Sequence, residues 1–153
     1  TPKVLVHKRK FNNITVNYLM LETYINNTGK VFHKILPSLL KIFKLENFSV
    51  NTDILLIHDD MDLDIGVIRC KKSGGSGGHK GVENFIENFG NQFTRIKIGI
   101  GRPDTDTQSV TNYVTSIIPN AKSIFIEEAF PIIDEAVENW VKYGPGSKTF
   151  VVE

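Results

Sequence analysis

One cysteine, Cys70, is all the chain has. Without a second thiol an intrachain disulfide framework is excluded, and the expected setting is intracellular and reducing, the cytoplasm or an organelle matrix such as that of a mitochondrion. Cys70 stands in an apolar–polar alternation, which predicts a buried structural thiol rather than a reactive one. Long apolar runs are missing too. None approaches the ~20 residues that span a bilayer, so no membrane partner is expected. The opening "TPKVLVHKRK" has neither the apolar segment of a secretory signal nor an initiator Met, and reads as the start of a processed or trimmed chain, or of one piece of a longer one. Internal repeats, low-complexity stretches and linkers are absent, and 153 residues suit one domain with a real core.

The two common nucleotide-binding glycine motifs are also lacking. "SGGSGGHKG", Ser73 to Gly81, holds five glycines but does not end in the Gly-Lys-Ser/Thr of a P-loop. "GIGRP", Gly99 to Pro103, follows a strand pattern, but Pro and Asp stand where a helix-opening glycine belongs.

What is present is an alternation of strand and helix signals. β-Rich stretches occur around Val4–Val6 and over Ile14–Leu21, with "FNN" as the turn between them. Val31, Ile35, Leu39 and Ile42 recur at helical spacing, and Pro37 among them predicts a kink or a new helix start. Ile54–Ile57 is a short continuous apolar run, as in a strand covered on both faces. "GVIRCKK" predicts a shorter, more exposed strand, "VENFIENFG" a helix closed by Gly90, and "RIKIGIG" another strand. "SVTNYVTSII" and the segment from Asn120 to Tyr143 read as helices. The pattern predicts an α/β protein: a single three-layer domain, with a mixed, mostly parallel sheet and helices on both faces.

Net charge is +1 and unevenly placed: residues 1–80 hold twelve Lys/Arg against seven Asp/Glu, and residues 81–153 hold six against ten. The first part therefore permits an anionic partner. Past the apolar run, "HDDMDLDIG" gathers Asp59, Asp60, Asp62 and Asp64 where ligand sites of open α/β sheets lie. Three readings stand: a polar loop whose carboxylates cap turns, a catalytic Asp, or a divalent cation site, the last without a second ligand set at recognisable spacing. The glycine loop allows close backbone approach. The helix expected from Val82 would then offer the free N–H groups of Gly81 and Val82 to an anion or a substrate carbonyl. The plain alternative is a surface loop with His79 and Lys80 in solvent.

Together, "TYINNTG", "HDDMDLDIG", "GGSGGHKG" and "RIKIGIGRP" resemble, in order and spacing, the bacterial-type peptidyl-tRNA hydrolase family, over a stretch from about Phe11 to the end. The resemblance implies hydrolysis, without metal or cofactor, of the ester joining a peptide to the 3′-terminal ribose of tRNA, so that stalled tRNA is recycled. It implies tRNA as partner, with ribosome or rRNA association as a further possibility, and leaves oligomeric state open. By the match, Asp59 orients a catalytic histidine, and Asn26 corresponds to the asparagine of a Phe-Met-Asn segment near the ester. Tyr24 replaces the aromatic that lines the terminal-nucleotide pocket, and His79 matches the histidine of a Gly-Gly-His-Asn-Gly loop. Arg69, Lys71 and Lys97 fall where the family presents cations to tRNA phosphates.

Two departures accompany the match. Lys80 stands where most members carry an asparagine, and an ammonium cannot supply both the donor and the acceptor of an amide. The family's opening Gly-Asn-Pro-Gly turn and its Thr-Arg-His-Asn segment, which carries the catalytic histidine, do not occur, and His7, His33, His58 and His79 all lack its neighbours. The expectation is a family fold without its first strand and helix. Two functions are then open: a hydrolase whose histidine lies in a segment outside these residues, or a catalytically silent tRNA- or rRNA-binding member.

Overall fold

Alternating β-formers in the first 22 residues close into a hairpin. In the computed structural model, which describes residues 3–102, 120–146 and 148–151 (of 120–129, the backbone alone), β1 (Lys3–Phe11) pairs antiparallel with β2 (Ile14–Glu22). Phe11 faces Ile14 across a two-residue turn, and Asn12 supplies the left-handed backbone there (φ 55°), a conformation asparagine tolerates better than most residues. At the open end Lys3 meets Glu22 at 3.4 Å, an exposed ion pair of little energetic weight.

The hairpin belongs to the first of two compact units, formed by residues 1–54 and 73–94. After β2 comes a short 3-10 turn, Ile25–Asn27, then helix α1 (Thr28–Ile42) and the single-turn α2 (Val50–Asp53). The helix continues through Pro37, so Pro37 is not a new helix start. Pro37 lies on the solvent-facing side, opposite buried Leu39. α3 (Lys80–Phe89) packs on α1. The crossing is close because Gly29 has no side chain: a Cβ there would sit 2.5 Å from the backbone of Asn84 and Phe85. Beside it Phe32, Phe85, Phe89 and Phe93 pack at centroid separations of 4.7 to 5.7 Å, Phe85 stacked on Phe32 and Phe89 and edge-on to Phe93. Phe93 is fully buried, and Val82 and Phe85 nearly so, which makes this aromatic cluster the core of the unit.

The second unit comprises residues 55–72 and 95–153. Its sheet has the order β3-β5-β4-β6, with β3 (Leu55–Asp60), β4 (Val67–Lys71), β5 (Thr94–Gly99) and β6 (Lys148–Val151). β4 runs antiparallel to both neighbours. It is therefore more interior than the exposed strand expected, because β6, a four-residue strand that sequence reading missed, covers its second edge. β3, expected to be covered on both faces, is half-buried throughout and has one strand neighbour among the described residues. Ile68 and Ile96 are fully buried; Ile133, Ala136 and Val137 bury one side of α4 (Asn120–Tyr143), which packs on β4. Cys70 is 7% exposed, and burial pushes its thiol above the ordinary value against an opposing pull from Lys148, as suits a structural thiol. The α/β class and mixed sheet are those expected; "SVTNYVTSII" lies outside the described residues.

Candidate functional site

The segment carrying Tyr24 and Asn26 is held in place from the other side of the unit. The 3-10 turn is closed by the Asn27 N–H donating to the Tyr24 carbonyl at 2.9 Å. The first turn of α1 receives a cap from a distance: the Lys30 N–H donates to Oδ1 of Asn84, on α3, at 2.9 Å. Tyr24 is 82% exposed and Asn26 is exposed, so both present their side chains to solvent.

The glycine loop leads to the same place. Gly74, Gly77 and Gly78 take φ of 139°, 58° and 85° with no atom within 4 Å of an added Cβ, so conformation rather than crowding selects glycine there. The loop hands over to α3 at His79, whose ring is the helix cap: Nδ1 accepts from the N–H groups of Gly81 at 3.1 Å and Val82 at 3.2 Å. A backbone N–H can only donate, so Nδ1 carries the lone pair and the ring is the neutral Nε2–H tautomer. This corrects one expectation. The two amides foreseen for a substrate carbonyl are already directed at the imidazole, because the helix begins two residues earlier than the apolar pattern suggested.

Gly81 is where loop and 3-10 turn meet. A Cβ there would lie 2.9 Å from Ile25 Cγ1, 3.1 Å from the Ile25 carbonyl oxygen and 3.1 Å from Cε1 of His79. Tyr24, Asn26, His79 and Lys80 are thus collected by one unit at one junction. Lys80, the departure from an amide, extends into solvent and pairs with Glu83 one turn on, at 3.3 Å.

The other four expected residues lie in the second unit. Asp59 is half-buried within β3, and its carbonyl accepts from Nδ1 of His58 at 2.7 Å. Its acidic neighbours hold the loop. Asp60 accepts from the Asp62 N–H at 2.8 Å and pairs with Lys97 at 3.6 Å, both side chains under a fifth exposed. Asp62 pairs with Arg102, and an added Cβ on Gly99 would collide with the Asp64 carbonyl. The turn-holding reading of Asp60 and Asp62 therefore has structural content. Among the described residues no group of three or more His, Cys, Asp or Glu is arranged to hold a metal ion.

Register places Arg69 opposite Lys97 and Lys71 opposite Arg95, so four cations share one face of β4 and β5. Arg69 Nε donates to Thr149 Oγ1 at 3.3 Å, Lys71 is exposed, and Lys97 turns to Asp60. Arg95 was not among the expected residues. It is fully buried, and desolvation pushes its guanidinium below the ordinary value. The signal for it was available: Arg95 and Lys97 are two apart in a strand, hence on one face.

The family description Peptidyl-tRNA hydrolase matches residues 2–151. The chain is 34% identical over 145 residues to the peptidyl-tRNA hydrolase of Persephonella marina, covering 90% of this chain and 71% of that protein. With the peptidyl-tRNA hydrolase of Brevibacillus brevis it shares 33% over 141 residues, covering 92% of this chain and 70% of the relative. The solved peptidyl-tRNA hydrolase of Acinetobacter baumannii is similar in fold, with a TM-score of 0.73 at 27% identity over 91% of this chain. The match spans 66% of the length of that solved chain.

Proposed function

The chain belongs to the peptidyl-tRNA hydrolase family, and we propose that it hydrolyses the ester between a peptide and the 3′-terminal ribose of tRNA. The observation that carries this reading is the junction in the first unit. There Asn26 and His79 are brought to one place by a glycine, Gly81, that leaves no room for a side chain between Ile25 and the imidazole. In this reading Tyr24 offers a flat surface to the terminal base, and the Asn26 amide, a donor and an acceptor at once, aligns water or ester. His79 keeps the start of α3 in register.

Asp59 serves as the carboxylate that fixes the tautomer of a general-base imidazole. No Thr-Arg-His-Asn segment occurs among the 153 residues, so the reading assigns that imidazole to a segment outside them. Arg69 and Lys71 on β4, with Lys97 beside Arg69 on β5, give the second unit a cationic strand face for the tRNA backbone. Neither metal nor cofactor has a part in this chemistry, and the setting is the reducing interior of a cell or organelle.

A second reading is favoured by Lys80, whose ammonium is turned to Glu83 where a positioning amide was expected: a member that binds tRNA or rRNA, alone or on the ribosome, without turning over the ester. Peptidyl-tRNA turnover in chelator-treated buffer, measured beside tRNA affinity, separates the two. Turnover supports the hydrolase; tight binding with no release of peptide supports the silent member.

A further inference from the structure

α1 carries charge of one sign. Between Thr28 and Ile42 it holds Lys30, Lys34 and Lys41 and no carboxylate. Spacings of four and seven residues put the three on one face, and all three are exposed. Over that interval the helix rises ~16 Å. Lys44 follows at the end of α1, where its N–H donates to the Lys41 carbonyl at 3.3 Å. The stripe then continues onto the hairpin: the Lys8 ammonium lies 5.4 Å from the centroid of Phe43, the residue that caps α1. Among the described residues, no carboxylate forms an ion pair with any of these five lysines.

Helix stability does not account for the pattern. Lys41 in the last turn suits the helix dipole, but Lys30 in the first turn opposes it, where an acidic residue would be favoured. Lys30 and Lys34 are like charges four apart, a spacing that destabilises a helix. Hairpin geometry does not require the cations either, since β1 neutralises Lys3 against Glu22 but sets Lys8 opposite Asn17.

We propose that this lysine stripe is a track for the phosphate backbone of the tRNA part of the substrate, leading away from the ester. The proposal rests on the reading of Tyr24 and Asn26 as the site of the 3′ end. The stripe begins at Lys30, four residues after Asn26, and extends farther than one terminal nucleotide reaches. Its members are all lysines, point charges that hold phosphate without reading bases. It positions the acceptor arm and lets the protein distinguish a whole tRNA from a short ester.

The test uses Lys34→Gln with Lys41→Gln, and Lys142→Gln on α4 as a control for bulk charge. Binding of uncharged tRNA across a salt series is read first, so the result does not depend on hydrolysis. The salt slope should fall by roughly two units, about one per lost phosphate contact, and by none in the control. Thermal stability should hold or rise as like charges are relieved, and Lys34→Arg with Lys41→Arg should keep the affinity. If turnover is measurable, KM for peptidyl-tRNA should rise while KM for the same peptide ester on a short 3′-terminal oligonucleotide stays constant. An unchanged slope would overturn the proposal, as would equal losses in the control or failure of the arginine pair to keep affinity. So would a stripe needed for binding anionic vesicles or an acidic protein but not tRNA. A protein that keeps the slope effect without any turnover leaves the track standing and sinks only the hydrolase reading.

Discussion

The two units differ in charge balance and in where their ion pairs lie: those of the first, Lys3–Glu22 and Lys80–Glu83, are exposed. The first holds nine Lys/Arg against five Asp/Glu, and its lysine stripe has no ion-pair partner among the described residues; the second holds nine against twelve. In the second, charges are tied to one another: Lys97 to Asp60 with both side chains largely buried, and Arg102 to Asp62. The first fixes its geometry with absent side chains, Gly29 against Asn84 and Phe85, and Gly81 against Ile25. Close backbone contact sets shape there, as it does at Gly99 in the second unit, and the proposed role of the α1 lysines is to meet a partner's phosphates. In the second unit charge does part of the structural work, so fewer of its cations are at liberty to bind.

The sharpest break of this contrast is Asp59→Asn. If Asp59 is the one carboxylate of its cluster held for chemistry rather than for the loop, turnover should fall by ~10²–10⁴ with tRNA affinity unchanged. Full activity in the variant would place Asp59 with its turn-holding neighbours. Next come Gly29→Ala and Gly99→Ala, which force a methyl into backbone in the first and second unit respectively. Each should cost ~1–3 kcal/mol in urea unfolding, as overpacking does. Loss in one variant alone would show that only that unit relies on close backbone contact.

Arg69→Ala with Lys71→Ala should lower the salt slope of tRNA binding by roughly two units. A slope that moves with the α1 lysines and not with this pair would confine tRNA contact to the first unit. The smallest effect is expected for His79→Ala. It removes the cap on Gly81 and Val82, costs ~1 kcal/mol, and should speed hydrogen exchange at those amides, while His79→Asn restores protection. Exchange unaffected by either change would contradict the cap.

Much of this was legible in the chain before any coordinates. The spacing of Val31, Ile35, Leu39 and Ile42 marks α1, and the alternation in "RIKIGIG" marks β5, because long periodic segments impose their own geometry. The roles proposed for Tyr24, Asn26 and Asp59 come from motif order rather than physics. The start of α3 was not legible, since histidine is outside the usual set of capping residues and no sequence rule announces an imidazole in that role. Nor was β6: four residues after a Gly-Pro-Gly turn carry too little pattern, and only pairing with β4 defines the strand. The closeness of α1 to α3 is a property of tertiary contact, which Gly29 permits but does not declare.

The central claim is that the junction of the Tyr24–Asn27 segment with His79–Gly81 receives the ester end of peptidyl-tRNA. Single-turnover release of peptide from peptidyl-tRNA, compared between the protein and Asn26→Ala with tRNA affinity measured in parallel, tests it most directly. The account predicts a loss of at least roughly a hundredfold in rate, the scale for removing one positioned polar group, with affinity nearly constant. Equal rates in the two proteins would contradict it.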